Sequence, residues 1–119
     1  MTLQELLNVI QQGQAIQGED FSGQDLSEQD FSKATFVACN FSGSNLRNTK
    51  LIRASLRACD FSKADLRGAD LSESDLGDAD MMGAKLRRAN LTRSIRIGTK
   101  IQKWALKGAY ITGPTAYVD

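Results

Sequence analysis

Residues 59–92 read CDFSK ADLRG ADLSE SDLGD ADMMG AKLRR ANLT when cut into fives. Each five holds a small residue, then Asp, Asn or Lys, then Leu, Phe or Met, then two variable residues. A fixed short period of this kind is the mark of a solenoid. It fits neither a helix, which repeats at roughly 3.6 residues, nor a simple strand, which repeats at about 2. It requires each unit to form one side of a wound coil, with one large side chain per side aimed inward.

The frame extends in both directions without an insertion. Its large apolar position falls at Phe21, Leu26, Phe31, Phe36, Phe41, Leu46, Leu51, Leu56, Phe61, Leu66, Leu71, Leu76, Met81, Leu86 and Leu91, the candidate core. The position two before it is mostly Ala, Ser, Thr or Cys, but Glu19, Gln24 and Gln29 occupy it at the start, so the first coil should be looser. Identity improves at a spacing of twenty, as in Asp20-Phe21-Ser22, Asn40-Phe41-Ser42 and Asp60-Phe61-Ser62. Four units should therefore make one turn, with like sides stacked about 4.8 Å apart.

These units resemble the pentapeptide-repeat family, whose pattern is A-(D/N)-L-x-x, over residues 19–93, with Ala109-Tyr110-Ile111 suggesting an extension to 113. The resemblance implies an all-β solenoid: a right-handed quadrilateral β-helix with four five-residue units per coil. It also implies that the central Leu or Phe and the small residue two before it point inward, while the other three point out. Thr35, Lys50, Ser55 and Lys85 stand where Asp or Asn is usual in the family.

Thr2-Leu3-Gln4-Glu5 is a capping box, followed by Leu6, Leu7 and Ile10 on one apolar stripe with Leu3, and by Gly13 as a stop signal. A solenoid's first rung leaves apolar surface and unpaired backbone groups open, so a short helix laid across it is the expected cap. The expected organisation is a capping helix and linker over 1–18, the repeat body over 19–93, and an irregular coil or cap over 94–119.

The absence of His excludes His-containing zinc sites and imidazole-based catalysis. Cys39 and Cys59, twenty apart at the small inward position, should stack on adjacent rungs. They are close enough there for a disulfide, though two buried thiols in a reducing cytosol are the plainer reading. No catalytic, cofactor-binding or metal-ligating constellation is evident, and no enzyme activity or cofactor is expected. The Asp column needs no catalysis, because Asp and Asn favour turns by bonding nearby backbone. Nothing resembles a signal peptide or a membrane span, so a cytoplasmic location is expected.

Net charge is +1, which gives no general attraction to nucleic acid or membrane. The charge is nevertheless banded: residues 1–32 hold six acids and no base, 33–58 five bases and no acid, and 59–84 seven acids and two bases. Residues 85–107 then hold eight bases and no acid. Arg47, Arg67 and Arg87, spaced by twenty, should line one side with Arg88 beside them. That row is the candidate partner-binding face, suited to an acidic protein surface or a phosphate run, though it lacks the aromatic interleaving of a single-strand binder.

Two readings of the C-terminal segment stand. One is a helix over about 100–107 with Thr99 as N-cap and with Ile101, Trp104 and Ala105 buried. The other keeps the frame through Ile101, Leu106 and Ile111. In either case Trp104, Tyr110 and Tyr117 are expected to close the lower end or to form a dimer surface. The expected function is a non-catalytic scaffold for a protein partner, acting as a monomer or weak homodimer through the C-terminal segment. The alternative, suggested by the resemblance, is a DNA mimic acting on a type II topoisomerase. The net charge of +1 disfavours it, because mimicry needs an acidic rod.

Overall fold

Hydrogen bonding between residues twenty apart sets the architecture. The computed structural model describes residues 1–112 and the backbone of Ala116–Tyr117. Parallel bridges join Asp20 to Asn40, Asp25 to Asn45, Asp30 to Lys50 and Thr35 to Ser55, and the same four columns continue as far as Asp80–Lys100. Before them, β1 (Ile16–Gln17) pairs with β2 (Phe36–Val37). At the other end, β3 (Ile95–Arg96) pairs with β4 (Ala116–Tyr117).

The expectation of an all-β chain needs correction in one respect. Most of the pairing is by single residues rather than strands, because every side of the coil turns within five residues. The residue two after each central position lies in the left-handed region, as in Gly23 at φ 67°, Lys33 at 66° and Glu73 at 58°. Eleven such residues are not glycine, and each costs about 1–2 kcal/mol of local strain. The ladder offsets that strain by pairing most of the donors in each regular unit.

One unit shows how complete this is. The N–H of Asp60 donates to the Cys39 carbonyl at 2.9 Å, and those of Phe61 and Lys63 to Asp80 and Met82 at 2.7 and 3.0 Å. Ala64 closes the turn onto the Phe61 carbonyl at 3.0 Å. The remaining donor, Ser62 N–H, reaches the Asp60 carboxylate at 2.8 Å. The Asp/Asn column therefore exists to satisfy the one amide that neither neighbouring coil can reach. The same bond recurs from Asp20–Ser22 to Asn90–Thr92.

All fifteen central residues are buried, and Ile16 adds one more before them. Each contributes roughly 1.5–3 kcal/mol of apolar burial. Phe21, Phe41 and Phe61 stack along the axis with ring centroids 5.1 and 5.0 Å apart, and Phe36 meets the first two edge-on. The small positions hold Ala and Cys, while buried Ser44, Thr49 and Ser74 donate their hydroxyls to backbone carbonyls at 2.6–2.9 Å. Glu19, Gln24 and Gln29 leave their positions only half-buried, as their size dictates.

The helix α1 (Leu3–Gln11) opens with the capping box in place. Thr2 N–H donates to Glu5 Oε1 at 3.0 Å, and Glu5 N–H to Thr2 Oγ1 at 3.2 Å. Leu6 is buried against the core, with Leu3, Leu7, Val9 and Ile10 packed around it. Gly13, at φ 72°, turns the chain into the first coil.

The far end matches neither earlier reading fully. A single 3₁₀ turn spans Lys103–Leu106, and Ala105 alone of the three expected residues is buried. Ile101 is half-buried, and Trp104 is 70% exposed rather than closing the end. Its slot admits only small side chains, so the indole swings out and the backbone tightens beneath it. Thr99 is not the cap; its hydroxyl donates to the Leu76 carbonyl at 2.6 Å. The frame then resumes with the Asn90–Tyr110 bridge, leaving the Tyr110 ring 58% exposed. The side chain of Tyr117 lies outside the described residues. Arg96 occupies its inward slot and is buried.

Candidate partner-binding face

Coil repetition brings the four arginines together. Arg47, Arg67, Arg87 and Arg88 line one groove of about 270 Å³, with Asn48 and Gly68 as its floor. The backbone beneath is fixed where the repeat is regular: Arg47 N–H donates to Asn45 Oδ1 at 3.1 Å and Arg67 N–H to Asp65 Oδ1 at 3.2 Å. Gly68 sits at φ 73°, and a Cβ there would collide with Asn48 Oδ1. The glycine thus leaves the dip between flanking basic side chains. Sequence reading found the arginines but not this floor, although Asn48, Gly68 and Arg88 are themselves spaced by twenty.

Electrostatics divide the row. Arg67 is held by Asp65, with Nε and Nη2 donating at 2.8 and 2.6 Å. Those bonds push the Asp65 carboxyl below its ordinary range and the Arg67 guanidinium above its own. Among the described residues, no carboxylate comes within ion-pair distance of Arg47, Arg87 or Arg88. The basic and acidic bands meet elsewhere, where Arg53 pairs with Glu73 at 3.1 Å and Arg57 with Asp75 and Asp78 at 3.3 and 3.7 Å.

Cys39 and Cys59 are free, buried thiols. Their sulfurs point at the Ile16 and Phe36 carbonyls at 3.3 and 3.5 Å. The neighbouring Cys39 thiol, together with burial, pushes the Cys59 thiol well above its ordinary value. A buried thiol raised in this way, as Cys59 is, is a poor nucleophile.

Next to the arginine groove lies a larger cavity of about 710 Å³, which sequence reading missed. Arg67 and Arg87 belong to both hollows, and Leu86, Trp104, Ala105 and Lys107 line the larger one. Its origin is a gap in the ladder. Every other central N–H from Phe21 to Leu91 donates to the carbonyl nineteen residues on. At Leu86 no acceptor meets it among the described residues, because the 3₁₀ turn has drawn that carbonyl away. Nearby bonds shift as well, Gly83 N–H turning to Gln102 Oε1 and Arg88 N–H to the Gly108 carbonyl.

The pentapeptide-repeat family model matches residues 18–51, 39–78 and 59–95 in eight copies. Among solved structures, HetL, a pentapeptide repeat protein involved in heterocyst differentiation regulation from the cyanobacterium Nostoc sp. strain PCC 7120, is 28% identical with a TM-score of 0.61. The alignment covers 83% of this chain but only 46% of HetL, so the chain spans about half of that protein's length. Rfr23, a pentapeptide repeat protein from the cyanobacterium Cyanothece 51142, is 20% identical with a TM-score of 0.48, over 98% of this chain and 96% of that one. QnrB1, a plasmid-mediated fluoroquinolone resistance protein, is 18% identical with a TM-score of 0.45, over 80% and 68%. No curated protein matches the sequence. The matched repeats and the bridges between residues twenty apart place this chain in the pentapeptide-repeat family.

Proposed function

We propose that the chain is a non-catalytic interaction scaffold, a right-handed four-sided coil that offers the Arg47–Arg67–Arg87–Arg88 face to an acidic surface of a partner protein. One observation carries this reading: three of those four guanidiniums, Arg47, Arg87 and Arg88, have no ion-pair partner among the described residues and line one groove. Guanidiniums held in this way bind carboxylates through paired, charge-assisted hydrogen bonds. The free thiols fit a reducing, cytoplasmic compartment. No described helix is long and apolar enough to cross a membrane. The chain acts as a monomer or as a weak dimer through its C-terminal segment, the dimer slightly favoured at high salt, where repulsion between two basic bands is screened.

The test is binding of fluorescent poly-glutamate, followed by anisotropy across a salt series. The wild-type chain is expected to bind, with affinity falling as salt rises. Arg47→Glu with Arg87→Glu should weaken binding about tenfold or more. Equal binding by the two proteins overturns the reading. A DNA-mimic role requires inhibition in a gyrase supercoiling assay, which the net charge of +1 argues against.

A further inference from the structure

We infer that the cavity beside Trp104 is an anchor pocket for a single apolar side chain of an acidic peptide segment, taken up as that segment lies along the arginine groove. This rests on the acidic-partner reading and adds what the groove alone does not supply.

Three features of the cavity converge on such an occupant. Its lining includes apolar residues: Ala84, Leu86, Ala105, and Trp104 with its exposed indole. Its rim is basic, with Lys85, Arg87 and Lys107, and among the described residues Arg87 and Lys107 make no ion pair. The unmet Leu86 N–H belongs to the ladder that elsewhere runs on to the next coil, and at this rung the cavity takes that coil's place. A peptide in extended form supplies all three complements: a backbone carbonyl for the amide, a leucine-sized side chain for the walls, and neighbouring carboxylates for the rim. Arg67 and Arg87 line both hollows, so one segment can pass from groove to pocket without a break. A second copy of this chain is a poor occupant, since residues 85–107 carry eight bases and no acid, and two such bands would face each other.

Trp104 is the chain's single tryptophan, so its emission reports this pocket alone. The probes are a blocked Asp/Glu octapeptide with one central Leu and the same peptide with Ser in its place. The Leu peptide is expected to shift Trp104 emission to the blue and to bind about tenfold more tightly than the Ser peptide. Trp104→Ala, followed by anisotropy of labelled peptides, should abolish the difference between the two while leaving Ser-peptide binding intact. Lys107→Glu should weaken both, with thermal melts showing that each variant is folded.

Equal affinity for the Leu and Ser peptides, with no spectral shift, overturns the anchor pocket and leaves the acidic-partner reading standing. Failure of both peptides and of poly-glutamate overturns both. Leu-peptide binding that ignores salt and Lys107→Glu also overturns the inference, as a purely apolar site. So does self-association at low salt that shifts Trp104 emission and blocks the Leu peptide, which would identify the occupant as a second copy.

Discussion

The body of the coil and its last turn follow one five-residue frame and end differently. From Phe21 to Met81 every central amide finds its carbonyl on the next coil and every central side chain is buried. At Leu86 the side chain is equally buried, yet its amide loses its partner and a cavity opens. The cause is not in the Leu86 unit. It lies nearly twenty residues on, where Trp104 stands in a slot sized for alanine. In a solenoid a residue's environment is written by its neighbour on the next coil. Regularity gives stability there, and a local breach gives a place to bind.

The largest expected effect tests the first half of this comparison. Leu66→Asp places a charge in the packed interior with no partner, and should cost more than about 4 kcal/mol and unfold the chain. Leu106→Asp, in the half-buried last turn, should lower the melting temperature yet leave the body folded. Glu73→Ala, which removes only an exposed ion pair, should cost no more than about 1 kcal/mol. If circular dichroism melts show equal losses at 66 and 106, the two regions do not differ as described.

Removing residues 2–13 should come next in size. It strips Leu6 and its neighbours from the first rung and exposes Phe21 and Leu26. Light scattering should then detect association through the open end. A truncated protein that stays monomeric and equally stable would show that α1 does not act as a cap.

Glycines sharpen the contrast at a finer scale. Gly68→Ala meets both a left-handed backbone and the Asn48 side chain, whereas Gly43→Ala, at φ 63°, meets open space. The second should cost roughly 1 kcal/mol and the first clearly more. Matching denaturant midpoints would mean that Asn48 moves aside freely, and that the groove floor is not fixed.

The smallest effect is in acid. Hydrogen bonds from Ser22, Ser27 and Ser32 hold the Asp20, Asp25 and Asp30 carboxyls below their ordinary value of 3.8. The folded pKa is thus the lower one. The stability these groups add is complete above the unfolded value and drains as pH falls through the folded value. Melting temperature should therefore decline below about pH 4. Asp25→Asn, which keeps the acceptor without the charge, should reduce that decline slightly. An unchanged acid slope would remove Asp25 from the account.

Much of this was legible in the sequence, because periodicity and inward burial are the same fact in a coil this narrow. Thr2 and Glu5 likewise declared their helix. The left-handed residue of each unit was not recognised, though Gly23, Gly43, Gly68 and Gly83 all fall on it; Lys33, Glu73 and Arg93 occupy the same site and hide the signal. The cavity was hidden for a different reason. The Leu86 unit departs from Leu66's at Lys85 and Arg88, but neither change marks a gap; only the pairing of that side with Trp104 reveals it. The arginine row could be placed by counting twenties, but Gly68's role as its floor needed the Asn48 side chain in position.

The pairing of Ile95 with Ala116 and of Arg96 with Tyr117 spans twenty-one residues, where every bridge before it spans twenty. Such a slip is tolerable there because it falls after the last bridge of the regular columns, Asn90–Tyr110. The same single-residue insertion near Ser55 would behave as a frameshift, turning every later central residue out of its slot. Length in this molecule is therefore quantised. Duplicating residues 40–59 should lengthen the rod by one coil and raise its melting temperature, whereas adding one residue at that point should abolish folding.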